Sequence, residues 1–462
     1  MATEIDTPVD TEGAVQAGRR PATLGRLLGS IMRVGRELLA RTRSGDLDAA
    51  SSGAALAGLC RTLLEHRGEA SGLALADEIL SGYKALPAAE REAFFDDLNK
   101  EFAPDQSAIL TAAEAYRLDP RFETLAGLAS AIEAPRLKLF EQLNTAPGGT
   151  GRLVAMRADL LDLLARQPDL RSIESDLHRL LVSWFNRGFL VMQRIDWDSP
   201  ASVLEKIVAY EAVHEINGFE DLRTRLAEDR RCFAFFHPAM PSDPLIFVQV
   251  ALSNELASAI EPLIAGQRQV GSAHDADTAV FYSISNCHKG LRGISFGSFL
   301  IKQVIEELRR DLDGIEHFVT LSPVQGFRAW VAEVEAEVLA EAQQRDLAVA
   351  REVVTGAEAL EPGTMPASAQ AALMRLCAHY LLEVKRGGEP LDPVARFHLG
   401  NGAVLERLNF NADPSAVGLE RSFGLMVNYV YRLKEIETNH ERYMTEGRIA
   451  ASSAVRNLAR SG

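Results

Sequence analysis

Residues 279–308, AVFYSISNCHKGLRGISFGSFLIKQVIEEL, decide how the C-terminal part of the chain folds. Residues 279–285 are β-branched, aromatic or small, which predicts a buried strand, and the apolar residues from Phe299 onward recur at helical spacing. The turn between these two elements contains three glycines and two basic residues: Lys289, Gly290, Arg292, Gly293 and Gly297. The segment therefore predicts a strand, a basic glycine-rich loop and an amphipathic helix.

This loop has the composition of an anion-binding site. Glycine lets the backbone approach a phosphate closely, and a helix start presents unpaired N–H groups. Lys289 and Arg292 add positive charge, so the loop is predicted to bind a pyrophosphate. The spacing matches neither a Walker A loop nor a GxGxxG turn, and an ordinary glycine-rich connection is the alternative.

The sequence around this loop predicts a mixed α and β domain over residues 186–462. Strands are predicted at Cys232–Phe236, Leu245–Leu252, Ala279–Ser285 and His317–Ser322. Helices are predicted at Phe299–Leu312, Phe327–Val353 and Ala369–Val384, and the segment Gly424–Tyr431 is interpreted as a further apolar helix. Strands alternating with helices at this spacing are typical of an α/β arrangement.

Residues 23–185 have a different pattern. Apolar residues recur at three- and four-residue steps from Leu24 to Leu164, and prolines separate the stretches, which predicts an all-α bundle. Residues 1–22 contain few large apolar side chains and are predicted to be a disordered arm. The predicted fold class is therefore α+β, with a helical bundle followed by a mixed domain.

Composition excludes several functions. The net charge of −15 disfavours a nucleic-acid partner. The four cysteines, at positions 60, 232, 287 and 377, have no metal-binding spacing, so we expect neither a zinc site nor disulfides. No apolar run is long enough to span a bilayer, and acidic residues near the start argue against a transit peptide, so we expect a cytoplasmic protein without a membrane partner.

Two residues stand out as candidates for catalysis. Ser322 lies at the tip of a predicted strand, just before a proline and a glycine that reverse the chain. His398 lies in an apolar segment that is interrupted by the sequence Gly-Asn-Gly from residue 400. From the residues alone, a turn-capping serine and a structural core histidine remain the alternatives.

Six ordered segments together resemble the malonyl-CoA decarboxylase family. They are HPAMPSDPLIFVQVAL, FYSISNCHKGLRGISFGSFLIKQV, LSPVQGF, MRLCAHYLL, DPVARFHLGNGAVLERLN and GLMVNYVY, within residues 230–435. The resemblance implies a helical N-terminal domain and a GNAT-like catalytic domain that binds malonyl-CoA. It also implies a catalytic pair, Ser322 and His398, with Tyr431 lining the same site. At the position of Ser295, animal members carry an acidic residue, so that contribution is absent or replaced here.

The implied reaction is the release of CO2 from malonyl-CoA, which gives acetyl-CoA. The thioester carbonyl accepts the charge as an enolate, so neither a metal nor an organic cofactor is expected. We expect Ser322 to orient the carboxylate and a protonated His398 to deliver the proton, with Tyr431 steadying the imidazole; the reverse assignment remains open. A GNAT-type acyltransferase and a non-catalytic malonyl-CoA sensor are the alternatives. The resemblance further implies a homo-oligomer, dimer or tetramer, formed through the helical domain.

Overall fold

A computed structural model describes residues 29–38, 52–266, 268–294, 299–355 and 365–461. The predictions for residues 1–22, Ser295 and Gly297 lie outside these ranges. The chain divides into two compact units. The first contains Met1–Ser183 and Gly290–Arg292, and the second contains Trp184–Lys289 and Gly293–Gly462.

The secondary structure described for the first unit consists of helices joined by short turns. Its helices are α1 (29–38), α2 (Gly53–Glu65), α3 (Glu69–Ala85), α4 (Ala88–Glu101), α5 (Gln106–Leu118), α6 (Phe122–Ile132), α7 (Pro135–Asn144), α8 (Gly149–Leu163) and α9 (Arg171–Trp184). Polar residues fix several helix starts. The Ser52 side chain accepts the N–H of Ala55, and the Asp105 side chain accepts the N–H of Ser107. The core contains the aromatic rings of Tyr83, Phe94 and Phe95, which contact one another.

Two neighbouring helices of this unit, α5 and α6, pack against each other and contain no buried residue. Their large apolar side chains are exposed: Leu110, Leu118, Phe122, Leu125 and Ile132. An exposed apolar patch of this kind marks an interaction surface more often than a random surface feature. We call these five side chains the hairpin patch.

The second unit contains both helices and strands. Its strands are β1 (Val191–Ile195), β2 (Arg230–Phe236), β3 (Ile246–Ser253), β4 (Thr278–Asn286), β5 (His317–Thr320), β6 (Ser322–Pro323), β7 (Lys385–Arg386), β8 (Glu389–Pro390), β9 (Val404–Asn409) and β10 (Met426–Val430). Its helices are α10 (Ala201–Tyr210), α11 (Phe219–Arg225), α12 (Glu261–Ile264), α13 (Phe299–Asp311), α14 (Phe327–Glu333), α15 (Glu341–Thr355), α16 (Ala367–Leu382), α17 (Pro393–Gly400), α18 (Ala416–Ser422), α19 (Ile436–Glu446) and α20 (Ser453–Arg460). The predicted α+β class is confirmed.

The main sheet has the strand order β1-β2-β3-β4-β5-β10-β6, and β9 pairs with β10. Its pairs are antiparallel except for β4 and β5, which run parallel and are joined through α13. All seven residues of β2 are buried, as expected for a strand covered on both faces. The pairing of β3 with β4 shifts register after Gln249, where β4 carries one extra residue, Tyr282.

Two sequence-based expectations were wrong. The segment interpreted as an apolar helix near residue 428 is the strand β10, which pairs with β9 on one side and with β5 and β6 on the other. The predicted helix 327–353 is two helices, α14 and α15, separated by residues 334–340, which begin with the extended Val334 and include a short 3-10 helix at Ala336–Val338. The Arg351 side chain explains the break, since it donates hydrogen bonds to the carbonyls of Val331, Ala332 and Val334.

Candidate active site

Ser322 and His398 meet at the edge of the main sheet. Ser322 begins β6, and His398 lies in the last turn of α17, a helix that starts with the N-cap Asp392 and Pro393 at its first position. The Ser322 Oγ lies 3.2 Å from the His398 Nε2. Both side chains are buried, with 6% and 2% of their surfaces exposed. The fold therefore brings together two residues that lie 76 positions apart.

Tyr431 completes a chain of three polar side chains. Its hydroxyl lies 2.8 Å from the other imidazole nitrogen, Nδ1 of His398. Its backbone N–H donates to the carbonyl of Phe318, which fixes the residue that follows β10 against β5. The imidazole is therefore held at both nitrogens, a condition that sets both its tautomer and its orientation.

Burial controls the protonation of this chain. It lowers the pKa of His398 from its ordinary value to about 3, because a charged imidazolium would lose its hydration. It also raises the pKa of Tyr431 well above its ordinary value. Burial therefore favours a neutral imidazole and a protonated phenol in the protein without substrate, and a protonated His398 stays a prediction for the substrate complex.

The Ser322 and His398 side chains line a cavity of about 620 Å³. Most of its remaining lining comes from β4, the residues Gly293 and Ile294, the turn 323–325 and the residues of α17 before His398. Val213, Ile246 and Glu389 complete it. Cavities of this size are typical of small-molecule and cofactor sites. The serine and the histidine therefore face a space that accepts a ligand.

Known proteins match most of this chain. The family model for the malonyl-CoA decarboxylase C-terminal domain matches residues 188–462, and the model for the malonyl-CoA decarboxylase N-terminal domain matches residues 102–185. The chain belongs to the malonyl-CoA decarboxylase family. The mitochondrial malonyl-CoA decarboxylase of Anser anser anser is 35% identical over 382 residues, which are 77% of this chain and 73% of that protein.

Solved structures of this family agree with the assignment. The malonyl-CoA decarboxylase of Rhodopseudomonas palustris is 48% identical and superposes with a TM-score of 0.82, covering 88% of this chain and 99% of that one. The malonyl-CoA decarboxylase of Agrobacterium vitis is 47% identical, with a TM-score of 0.79, and covers 87% and 99% of the two chains. The resemblance stated from the six sequence segments is thereby confirmed.

The basic glycine-rich loop has a structural role that its composition did not suggest. Gly290–Arg292 belongs to the first unit, where the Arg157 guanidinium donates to the carbonyls of Gly290, at 2.6 Å, and Arg292, at 3.0 Å. A Cβ placed on Gly290 would collide with the carbonyl oxygen of Val154 in α8. Close packing on a helix therefore accounts for the glycine at 290.

The remaining residues of the loop divide into three groups. Lys289 and Arg292 are exposed, and Gly293 lines the cavity with a left-handed φ of 81°. Gly297 lies outside the described residues. Phosphate binding by this loop stays a prediction.

Sequence reasoning missed Thr320, which holds Ser322 in place. The Ser322 hydroxyl donates to the Thr320 Oγ1 at 3.0 Å, and the same oxygen accepts the backbone N–H of Tyr429 at 3.2 Å. Thr320 is fully buried. The available signal was the two-residue spacing, because residues i and i+2 of an extended chain point to the same side.

Two further residues contact His398 or its helix and were also missed. The Tyr429 ring stacks on the imidazole with centroids 4.7 Å apart. Asp392 is fully buried, and its Oδ1 accepts the N–H of Ala395 at 2.7 Å in the first turn of α17. Among the described residues, neither the Asp392 Oδ2 nor the Tyr429 hydroxyl has a hydrogen-bond partner. Burial raises the pKa of Asp392 to about 7, an effect that the N–H groups of the first turn partly oppose.

The described residues contain no group of three or more His, Cys, Asp or Glu side chains that is placed to hold a metal ion. They also contain no helix that is both long and apolar enough to cross a bilayer.

Proposed function

We propose that this chain decarboxylates malonyl-CoA to acetyl-CoA and CO2, through an enolate intermediate. The observation that carries the proposal is the hydrogen-bonded chain of Ser322, His398 and Tyr431, whose first two members line the 620 Å³ cavity while Tyr431 lies behind His398. The malonyl group would occupy this cavity with its thioester beside the serine and the histidine. The membership of the malonyl-CoA decarboxylase family supports the choice of substrate.

The first step breaks the bond between C2 and the carboxylate carbon. The electron pair of this bond passes into the thioester and forms an enolate. The step is fastest when the breaking bond lies perpendicular to the thioester plane. A hydrogen bond from the Ser322 hydroxyl to the carboxylate would hold this rotamer and so lower the barrier. Since the hydroxyl donates to Thr320 in the protein without substrate, it has to turn toward the carboxylate on binding.

The second step places a proton on C2. The contacts around the imidazole are all satisfied when the Tyr431 hydroxyl donates to Nδ1 and the Nε2–H of His398 points at Ser322. On substrate binding the imidazole takes up a second proton, so that Nδ1–H donates to the Tyr431 oxygen; Nε2 then delivers its proton to C2, a C–H bond forms, and a neutral imidazole remains. One CO2 leaves for each proton consumed.

Binding of the substrate can raise the pKa of His398 and so favour its protonated form. Burial disfavours the imidazolium in the empty site, but the negative malonyl carboxylate raises the pKa of a neighbouring histidine. We expect proton uptake to accompany substrate binding. As CO2 leaves, the negative charge passes from the carboxylate to the enolate, and C2 of the enolate accepts the proton of the imidazolium.

The coenzyme A part of the substrate needs a phosphate site. We propose that Lys289, Arg292 and the backbone of Gly290, Gly293 and Gly297 contact the pyrophosphate. The exposure of the two basic side chains and the position of Gly293 at the cavity support this assignment. Point charges at an exposed position attract phosphates without fixing their geometry closely.

One incubation separates this proposal from its alternatives. Purified protein is mixed with malonyl-CoA alone, and acetyl-CoA and CO2 are measured over time, with Ser322→Ala as the control. Equal amounts of both products without any acceptor support decarboxylation. Product that appears only when an amine acceptor is added indicates an acyltransferase, and tight binding without product over hours indicates a sensor.

We also propose that the helical unit mediates self-association through the hairpin patch. The patch exposes five large apolar side chains on two helices that bury nothing within the chain. A second copy of the same hairpin would bury both patches in a four-helix arrangement with two-fold symmetry. Dimer and tetramer are both compatible with one such contact.

Sedimentation velocity tests this contact. Leu118→Glu with Phe122→Glu places charges in the patch and should convert the protein to a smaller species. Val270→Glu with Val338→Glu alters two exposed apolar residues of the second unit and serves as the control. An unchanged assembly in the first variant would remove the hairpin patch from the interface.

A further inference from the structure

Four arginines surround a second cavity in the second unit, and it shares no lining residue with the first one. They are Arg432, Arg442, Arg448 and Arg456, and the cavity between them measures about 180 Å³. The chain as a whole carries a net charge of −15, so this concentration of positive charge opposes the overall balance. We call these four residues and their cavity the arginine pocket.

The fold gathers the four arginines from consecutive elements. Arg432 follows the end of β10, and Arg442 lies on α19. Gly447, with a left-handed φ of 62°, ends α19 and turns the chain back, so that the N–H of Arg448 donates to the carbonyl of Arg442. Arg456 lies on α20, the next helix.

One of the four guanidinium groups is fixed in place. Arg456 donates from its NH2 group to the carbonyl of Ile449 at 2.7 Å, and from Nε to the carbonyl of Ala451 at 3.3 Å. These bonds hold the planar group at the wall of the cavity. A fixed guanidinium fork is suited to the oxygens of a phosphate or carboxylate, because less side-chain entropy is lost on binding.

The positive charge of the pocket is only partly neutralised. Arg432 pairs with Glu406 at 3.0 Å and with Glu435 at 3.7 Å. Within the described part of the chain, the guanidinium groups of Arg442 and Arg448 form neither a hydrogen bond nor an ion pair. Like charges around one cavity repel each other, and an anion in the cavity would offset this repulsion.

We propose that the arginine pocket binds a compact oxyanion of the phosphate class with two or more negative charges. The cavity has room for roughly six water molecules at their share of liquid volume, which suits a phosphate group and excludes a whole nucleotide. The ligand is either inorganic phosphate or the phosphate of a monoester whose remainder extends into solvent. The site is distinct from the one that the proposed function assigns to malonyl-CoA.

Because of the position of the pocket, a bound anion would stabilise the fold. Arg432 directly follows Tyr431, and Val404, which also lines the pocket, pairs with Val430 in the sheet. An anion held by Arg432, Arg442 and Arg456 would tie the end of β10 to α19 and α20. Since a ligand that binds only the folded state stabilises it by mass action, phosphate should raise the Tm.

Isothermal titration calorimetry and thermal unfolding with inorganic phosphate test the proposal at constant ionic strength. We expect saturable binding and a Tm that rises by a few degrees between about 0.1 and about 10 mM phosphate. The variant Arg442→Gln with Arg448→Gln should lose both effects. Arg442→Lys with Arg448→Lys keeps the charge and should retain part of the binding, which separates loss of the site from misfolding.

The control removes two exposed arginines elsewhere, Arg171→Gln with Arg345→Gln, and should bind phosphate like the unaltered chain. Repeating the titration with a phosphate monoester distinguishes a free phosphate from a phosphate on a larger molecule. Three results would overturn the proposal: no saturable binding, equal loss of binding in the control, or displacement of the bound phosphate by saturating acetyl-CoA. The last result would assign the pocket to the substrate.

Discussion

The buried catalytic chain and the basic loop are built in opposite ways. Ser322, His398 and Tyr431 come from three separate parts of the chain, and each has at most 6% of its surface exposed. The loop Lys289–Arg292 is continuous in sequence, and its two basic side chains are exposed. Proton transfer needs a fixed, dry geometry that only tertiary packing supplies, whereas attraction between charges tolerates exposure and flexibility.

This contrast predicts which kinetic constant each region controls. A group that acts only on the reacting atoms affects kcat, while a group that holds a remote part of the substrate affects binding equally in the ground state and transition state. Changes in the buried chain should therefore lower kcat, and changes in the loop should raise KM.

The largest effect is expected for His398→Ala and Ser322→Ala. Each should lower kcat by about 10²–10⁴-fold, the range for a positioned acid or base, with much less change in the Kd for acetyl-CoA. The double variant should be only slightly worse than either single one, because residues that act as a unit are not additive. CO2 release and calorimetric binding provide the two measurements.

His317→Ala, at the exposed start of β5, is the matched control for loss of an imidazole and should keep near-normal activity. Near-normal turnover of either catalytic variant would remove that residue from the pair. Loss of coenzyme A binding together with turnover would mean that the buried chain holds the substrate as well.

A smaller loss is expected for Tyr431→Phe. The change removes the hydroxyl 2.8 Å from Nδ1 and keeps the ring that packs near Phe281. A buried hydrogen bond contributes roughly 1–1.5 kcal/mol, which corresponds to about a tenfold lower kcat. The kcat and the Tm of the variant are measured together. A lower Tm with an unchanged kcat would show that the Tyr431 hydroxyl stabilises the fold and does not contribute to catalysis.

Sequence reasoning located most of the fold because the strands of the second unit contain β-branched and aromatic runs between prolines and glycines. It failed at β10, Met426–Val430, whose residues are apolar except for Asn428 and show no regular alternation, because the strand is paired on both sides and buried on both faces. The edge strand β1 escaped notice for the opposite reason, because most of its residues are exposed.

The site was predicted unevenly. The family resemblance identified Ser322, His398 and Tyr431, and the structure brings all three together. Thr320 and Asp392 were missed because a threonine in a strand and an aspartate before a proline are common; only the two-residue spacing from Ser322 pointed to Thr320. Gly290 was predicted to help bind a pyrophosphate, although packing against α8 already requires a glycine at this position.

A several-fold change in KM is expected for variants of the basic loop. Lys289→Gln with Arg292→Gln should raise KM by about two- to tenfold and leave kcat nearly unchanged, since exposed charge pairs contribute about 0.2–1 kcal/mol each. The effect should shrink at high salt. Lys84→Gln with Arg345→Gln removes the same charge elsewhere as the control. A fall in kcat at unchanged KM would abolish the distinction between the two regions.

The smallest change in kcat at neutral pH is expected for Asp392→Asn. This variant tests whether the buried surroundings of the catalytic chain contain a group that titrates. Asparagine is an equally good N-cap, so α17 should form and kcat should stay within about threefold of normal. Burial raises the pKa of Asp392 to about 7, so between its unfolded pKa of roughly 3.9 and 7 the folded chain holds a proton that the unfolded chain has released.

The stability that Asp392 contributes should therefore fall as pH rises through this window. The asparagine variant lacks this term, so its denaturation midpoint relative to the unaltered chain should increase between pH 5 and pH 8. Asp346→Asn, which removes a carboxylate paired with Arg375, provides a control without such a trend. A midpoint difference that is the same at both pH values would mean that Asp392 stays ionised in the fold, and that its unpaired oxygen has a partner which keeps it charged.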